Sequence, residues 1–151
     1  MVPQLIVLVV VLVAATTFGL WRRRQDGRIR GVDPVRGADG HADAHDDGRE
    51  RLSPADLGAE LGARATLVQF STAFCAPCRA TRRVLGEVAE QGDGVTHVEI
   101  DAEGHLDLVR RLDVRRTPTV FVLDATGAVV RRAVGQPRTV DIVAALGEAV
   151  P

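Results

Sequence analysis

The two cysteines of the 151-residue chain stand three positions apart, in Phe74-Cys75-Ala76-Pro77-Cys78, and they fall where one hydrophobic period gives way to another. Ahead of them, residues 65–71 (ATLVQFS) are a short run of strand formers; behind them, residues 76–91 place Thr81, Val84, Leu85 and Val88 at helical spacing. A cysteine pair at such a junction narrows the fold to one in which a strand delivers the chain into a helix N-terminus. Two intervening residues on a first helical turn bring the sulfurs close enough to bond. The open N–H groups and positive dipole end of that turn favour thiolate over thiol at Cys75, so a lowered pKa is expected there. Cys78, one turn inside, is expected to be shielded and to act second. A thiolate at Cys75 can attack a substrate disulfide, after which Cys78 attacks the Cys75 sulfur and frees the reduced substrate. Pro77 fixes one φ angle and lacks an N–H, which restrains the loop.

Two other readings of the pair stay open at this level, half of a zinc site and a pair of structural thiols. For zinc, no second Cys or His pair lies at ligand spacing, and His97 and His105 are isolated, eight apart. Two cysteines are also too few for a four-thiolate metal site or a disulfide-rich secreted scaffold. The dithiol reading therefore calls for no metal and no cofactor beyond a reversible Cys75–Cys78 disulfide. The balance of 19 basic against 20 acidic side chains, a net charge of −1, argues against a nucleic-acid partner.

Around the dithiol the elements alternate. Ser53 reads as the N-cap of a helix with Pro54 at its first position, running to about Leu61. Residues 65–71 form a strand, 76–91 an amphipathic helix, and Gly92-Asp93-Gly94 a break. A strand over 95–100 follows, then a short helix over 103–112 with Leu106, Val109 and Leu112 on one face, then a buried strand over 119–123 (TVFVL). Asp124-Ala125-Thr126-Gly127 signals a hairpin into a strand over 128–134, and a helix from about 138 to 149 closes the chain. The pattern predicts an α/β domain over residues 51–151. Its central mixed sheet should be mostly parallel with an antiparallel edge, flanked by helices.

The N-terminal third differs. Residues 2–21 carry no charge, and Leu5 to Ala15 are eleven apolar residues in a row. Twenty residues at about 1.5 Å each match the roughly 30 Å of a bilayer core, so a single transmembrane anchor is expected over 2–21. A cleaved signal peptide would want positive charge ahead of the run, and a core helix would show polar residues at helical spacing; both are wanting here. Trp21 suits the interface, and Arg22, Arg23 and Arg24 follow at once. The positive-inside rule then puts the C-terminal domain in the cytoplasm, an extracytoplasmic domain being the alternative. Residues 22–50 read as a basic juxtamembrane segment and flexible linker, too poor in apolar side chains to offset ordering. Within them His41 and His45, with Asp43, Asp46 and Asp47, could hold a divalent metal weakly, but read by default as a solvated acidic linker.

The succession LVQF, STAFCAPC, a helix, HVEID, and TPTVFVLD with a hairpin to Gly135 resembles the thioredoxin family over about Arg51 to Val150. The resemblance implies that family's fold, with Cys75 as nucleophile and Cys78 as resolving thiol. It also implies a cis-proline at Pro118 facing the dithiol, which would leave the backbone of Thr117 to pair with an incoming substrate strand. The chain departs from the family pattern at Phe74 (usually Trp), Ala76 (Gly), Gln69 (a buried Asp) and His97 (a buried Lys). Gln69 cannot take a proton at neutral pH, whereas His97 titrates near it. His97, or water held by Gln69, is then the candidate to assist deprotonation of Cys78; otherwise His97 merely packs in the sheet. Arg79, with Arg82 and Arg83 one turn on, favours the thiolate or docks an acidic substrate, or is a solvated helix face.

Strongly oxidising relatives place a His between the cysteines; Ala76-Pro77 is closer to the Gly-Pro of reducing members, so a reductant of protein disulfides is expected. The expected partners are protein disulfide or thiol substrates, an upstream electron donor such as a reductase or small thiol, and the membrane. A composition with Arg as its only strong base, rich in Ala and Gly, suits a bacterial source. The alternative class is a thioredoxin-like redox sensor or binding module without efficient turnover.

Overall fold

The computed structural model describes residues 2–25, 29–31 and 49–150. In chain order the elements are α1 (Val2–Gln25), β1 (Ile29–Gly31), α2 (Pro54–Leu57), β2 (Ala65–Ser71), α3 (Ala76–Gln91), β3 (Val95–Asp101), α4 (Leu106–Arg111), β4 (Thr119–Asp124), β5 (Val129–Val134) and α5 (Thr139–Ala149). They build one five-stranded sheet in the order β1-β5-β4-β2-β3. All seven residues of β2 are buried, because the sheet is covered on both faces. Alternation sends Val68 and Phe70 into one core with Leu52, Leu57, Leu108, Phe121 and Leu123. Ala65 and Leu67 enter the other, with Leu85 and Val88 of α3 and Ile142 and Ala145 of α5.

The sheet departs from the expectation of a mostly parallel one. Only β2 and β3 run parallel; β4 pairs antiparallel with β2, and β5 with β4. The lengths of the connecting helices explain it. The 16 residues of α3 climb about 24 Å, enough to return the chain along a seven-residue strand of about 23 Å. The six residues of α4 climb only about 9 Å. The chain therefore re-enters the sheet at the end it has just left, with Thr119 opposite Phe70.

Ser53 caps α2 through a full capping box with Asp56, but the helix stops at Leu57 rather than Leu61, because Gly58 turns left-handed at φ 64°. The helix expected over 103–112 is confined to Leu106–Arg111. The hairpin after β4 forms as expected. Asp124 Oδ1 accepts from the N–H groups of Thr126 and Ala128, and Gly127 adopts φ 82°.

Part of the segment expected to be a flexible linker is ordered. Ile29–Gly31 pairs antiparallel with β5, Ile29 opposite Ala133 and Gly31 opposite Arg131. Composition missed it because an open sheet edge recruits backbone, not apolar side chains. The His41/His45 cluster lies outside the described residues. In α1 the side chains of Ile6 to Val13, Phe18, Leu20 and Trp21 are all more than half exposed. Among the described residues no helix is long and apolar enough to cross a membrane, so the fold does not by itself establish the anchor expected over residues 2–21.

Candidate active site

β2 delivers the chain through Thr72, Ala73 and Phe74 to Cys75, which is the N-cap residue of α3 in extended conformation. Its carbonyl accepts from the N–H groups of Cys78 and Arg79 at 3.1 and 3.4 Å. Its sulfur accepts from the Cys78 N–H at 3.1 Å. An N-cap normally uses a side-chain oxygen for this; here the acceptor is sulfur, and it gains most from the donor when it carries negative charge. Pro77, in the first turn, has no N–H to leave unpaired. Cys75 and Cys78 are joined, with Sγ–Sγ 2.06 Å and Cα–Cα 5.2 Å. Cys75 is half-buried, while Cys78 is 1% exposed. Cys75 is thus reachable from solvent and Cys78 is covered.

Facing the dithiol is the loop into β4. The Thr117–Pro118 peptide bond is cis. Thr117 Oγ1 lies 3.2 Å from Thr72 Oγ1, so hydroxyls tie this loop to the one ahead of Cys75. The Pro118 carbonyl accepts from Gly135 N–H at 2.8 Å. Among the described residues, neither the N–H nor the C=O of Thr117 has a backbone partner. Pro77, Val84, Thr117 and Pro118 line a groove of about 670 Å³, with Arg116 and Arg138 at its side. Phe74, the residue before Cys75, is fully exposed.

Behind the dithiol, Gln69 is completely buried, and its Nε2 donates to the Cys78 carbonyl at 2.9 Å. Its Oε1 has no partner among the described protein atoms. In the β2–β3 register Gln69 stands opposite Glu99 and His97 opposite Leu67, which makes Gln69 and His97 diagonal neighbours on one face of the sheet. Burial pushes the His97 pKa down, against the pull of Glu99 and with the push of Arg82. Its Nε2 is buried and unpartnered.

Sequence reasoning overlooked Glu99. It accepts from Ser71 Oγ and forms a two-pronged ion pair with Arg82, whose Nη2 and Nε lie 2.6 Å from Oε1 and Oε2. Burial alone would raise its pKa, but bonds from Arg82 and Ser71 hold the carboxyl below the usual range. The signal was available in strand alternation, which puts residue 99 on the same face as residue 97. Arg79, by contrast, is exposed and has no acidic partner among the described residues. No group of three or more His, Cys, Asp or Glu among the described residues is placed to hold a metal.

The family model for thioredoxin matches residues 53–148. Thioredoxin H4-1 of Oryza sativa subsp. japonica is 32% identical over 92 residues, 60% of this chain and 70% of the relative. A thioredoxin of Mycoplasma genitalium is 27% identical over 74 residues, 48% of this chain and 72% of the relative. In fold, spinach chloroplast thioredoxin f (short form) superposes with a TM-score of 0.53 at 24% identity, covering 64% of this chain and 83% of that one. A Halobacterium salinarum thioredoxin variant also gives 0.53, at 23% identity, over 58% and 76% of the two chains. With the half-buried Cys75 capping α3 and the match running from the α2 cap almost to the end of α5, the chain belongs to the thioredoxin family and is a thioredoxin-like disulfide oxidoreductase.

Proposed function

We propose that the protein works as a reductant of protein disulfides and is tethered to a membrane by α1. The observation that carries the chemistry is Cys75 at the N-cap of α3, its sulfur facing the Cys78 N–H and accessible while Cys78 is covered. In the reduced protein the Cys75 thiolate attacks one sulfur of a substrate disulfide. A Cys75–substrate S–S bond forms as the substrate's own breaks, and the other substrate sulfur leaves as a thiolate that takes up a proton. Cys78, having lost its proton, then attacks Cys75 Sγ. The Cys75–Cys78 bond forms, and the second substrate sulfur departs and is protonated. Two electrons and two protons have passed to the substrate, and an external thiol or reductase restores the dithiol.

The unpaired backbone of Thr117 supports docking of the substrate as an extended strand. Ala76 and Pro77, neither of which ionises, support the reducing direction. The tether is supported by the charge-free residues 2–21 and by the exposed apolar side chains along α1. Arg22, Arg23 and Arg24 support a cytoplasmic domain. The β1 register supports entry of the chain from α1 at the dithiol end of the sheet, since Ile29 lies opposite Ala133, two residues before Gly135 of the loop bordering the groove.

The deciding experiment is turnover of a protein disulfide with a small thiol as electron donor. Many reductions per molecule by the wild type and none by Cys75→Ser are expected. A single stoichiometric reduction with no turnover would overturn the enzyme reading in favour of a redox sensor. A membrane-impermeant thiol reagent applied to intact cells tests the side: Cys75 labelled only after lysis is expected, and labelling before lysis would place the domain outside.

A further inference from the structure

α3 carries its charges the wrong way round for a helix. Its dipole favours acids in the first turns and bases in the last, yet Arg79, Arg82 and Arg83 occupy the dithiol half, and Glu87 and Glu90 the other. Arg79 also sits at i+3 and i+4 from Arg82 and Arg83, spacings at which like charges repel. Arg82 is compensated by Glu99. Arg79 and Arg83 are both exposed, and among the described residues neither has an acidic partner, Glu87 at i+4 from Arg83 included. The groove, which meets the other side of α3 at Pro77 and Val84, is flanked by Arg116 and by Arg138, the latter held in a two-pronged ion pair with Asp141, and no acid is among its lining residues.

Two rules of helix stability are thus broken at one place, and that place borders Cys75. We infer that the Arg79/Arg83 face and the groove together select disulfides carried in acidic polypeptide segments. This deepens the disulfide-reductase reading and rests on it. Arg79 and Arg83 stand on the solvent side of α3, away from the Pro77 and Val84 positions that meet the groove, so they act through their field on an acidic segment approaching the Thr117 backbone rather than as partners inside the groove. Such steering acts on the encounter rate and is screened by salt.

The test uses three synthetic disulfide peptides, flanked by Asp and Glu, by neutral residues, or by Lys and Arg. Each is reduced by the full chain at low and at high ionic strength. The acidic peptide should react about tenfold or more faster than the basic one at low salt, with the gap closing near 0.5 M salt, about one Debye length of 4 Å. In Arg79→Glu/Arg83→Glu the preference should invert. Any change those substitutions make in Cys75 reactivity affects all three peptides alike and cancels in the ratio. Equal wild-type rates for acidic and basic peptides, or a gap that survives high salt, overturn the inference. If even the neutral peptide is not reduced, the oxidoreductase reading itself has failed; if it is reduced but charge is ignored, only the docking inference falls.

Discussion

The side-chain amide of Gln69 holds the backbone of Cys78, its Nε2 donating to the Cys78 carbonyl at 2.9 Å from a fully buried position. Neither group sees solvent, so the bond fixes the first turn of α3 to the centre of the sheet. Gln69→Leu should cost about 1–3 kcal/mol in urea unfolding, the range for stranding a buried polar partner. Loss of the unpartnered Oε1 returns part of that cost, which places the expectation in the lower half of the range. An unchanged unfolding midpoint would show that the amide does not anchor α3.

How the sequence disclosed this arrangement depends on the range of the interactions. The strand, the dithiol and α3 were legible because each is set by a local pattern: the ATLVQFS run, the two-residue spacing, and the period of Thr81, Leu85 and Val88. The direction of β4 was not, because it depends on whether α4 is long enough to carry the chain back, and α4 proved shorter than its apolar spacing suggested. The end of α2 at Gly58 was missed because a glycine inside a polar stretch shows its left-handed turn only in three dimensions. Glu99 was missed for a related reason. A carboxylate on a strand looks like surface until Ser71 on the neighbouring strand and Arg82 on the covering helix close around it.

Those groups set two separate pH windows. The Glu99 pKa is lowered in the folded protein. Its contribution to stability is therefore complete above its ordinary value of 4.5 and is lost as pH falls through the folded value. Glu99→Gln should lower stability at pH 7 by no more than about 1 kcal/mol, as befits a largely solvated pair. The deficit should shrink below pH 4.5. A deficit that persists unchanged in acid would assign it to packing rather than charge.

His97 works in a higher window. Its folded pKa lies below the ordinary 6.5, so the unfolded chain binds the proton first and stability declines as pH drops from about 7 toward and through the folded value. His97→Leu should flatten that decline. Because no hydrogen bond among the described residues ties His97 to Gln69 or Cys78, its Nε2 being unpartnered, His97→Ala should leave the pH profile of the Cys78 resolving step where it is. A shifted profile would make His97 a proton-transfer residue for Cys78.

Gly127 tests the hairpin. It adopts φ 82°, and a Cβ there would lie 2.2 Å from the Leu52 carbonyl oxygen. The Leu52 N–H also donates to the Gly127 carbonyl at 2.9 Å, so the strand segment ahead of α2 and the turn cannot move apart cheaply. Gly127→Ala should destabilise by at least about 2 kcal/mol, the left-handed penalty plus a weakened hydrogen bond. Thermal or urea unfolding within about 0.5 kcal/mol of wild type would mean the turn relaxes without loss.

The proposed tether makes a prediction independent of the dithiol. The side chains from Ile6 to Val13 are more than half exposed along α1, and no described residue of the domain covers them. Placing arginine at Val10 and Leu12, near the middle of the charge-free run, should disfavour insertion by about 5–7 kcal/mol for the two together. The wild-type chain should stay with membranes through an alkaline wash, and Val10→Arg/Leu12→Arg should be recovered in the supernatant. The domain, which does not pack on this part of α1, should keep its reduction of a neutral disulfide peptide in both. A wild-type chain that washes off as readily as the variant would remove the membrane from the proposal and leave the disulfide chemistry standing.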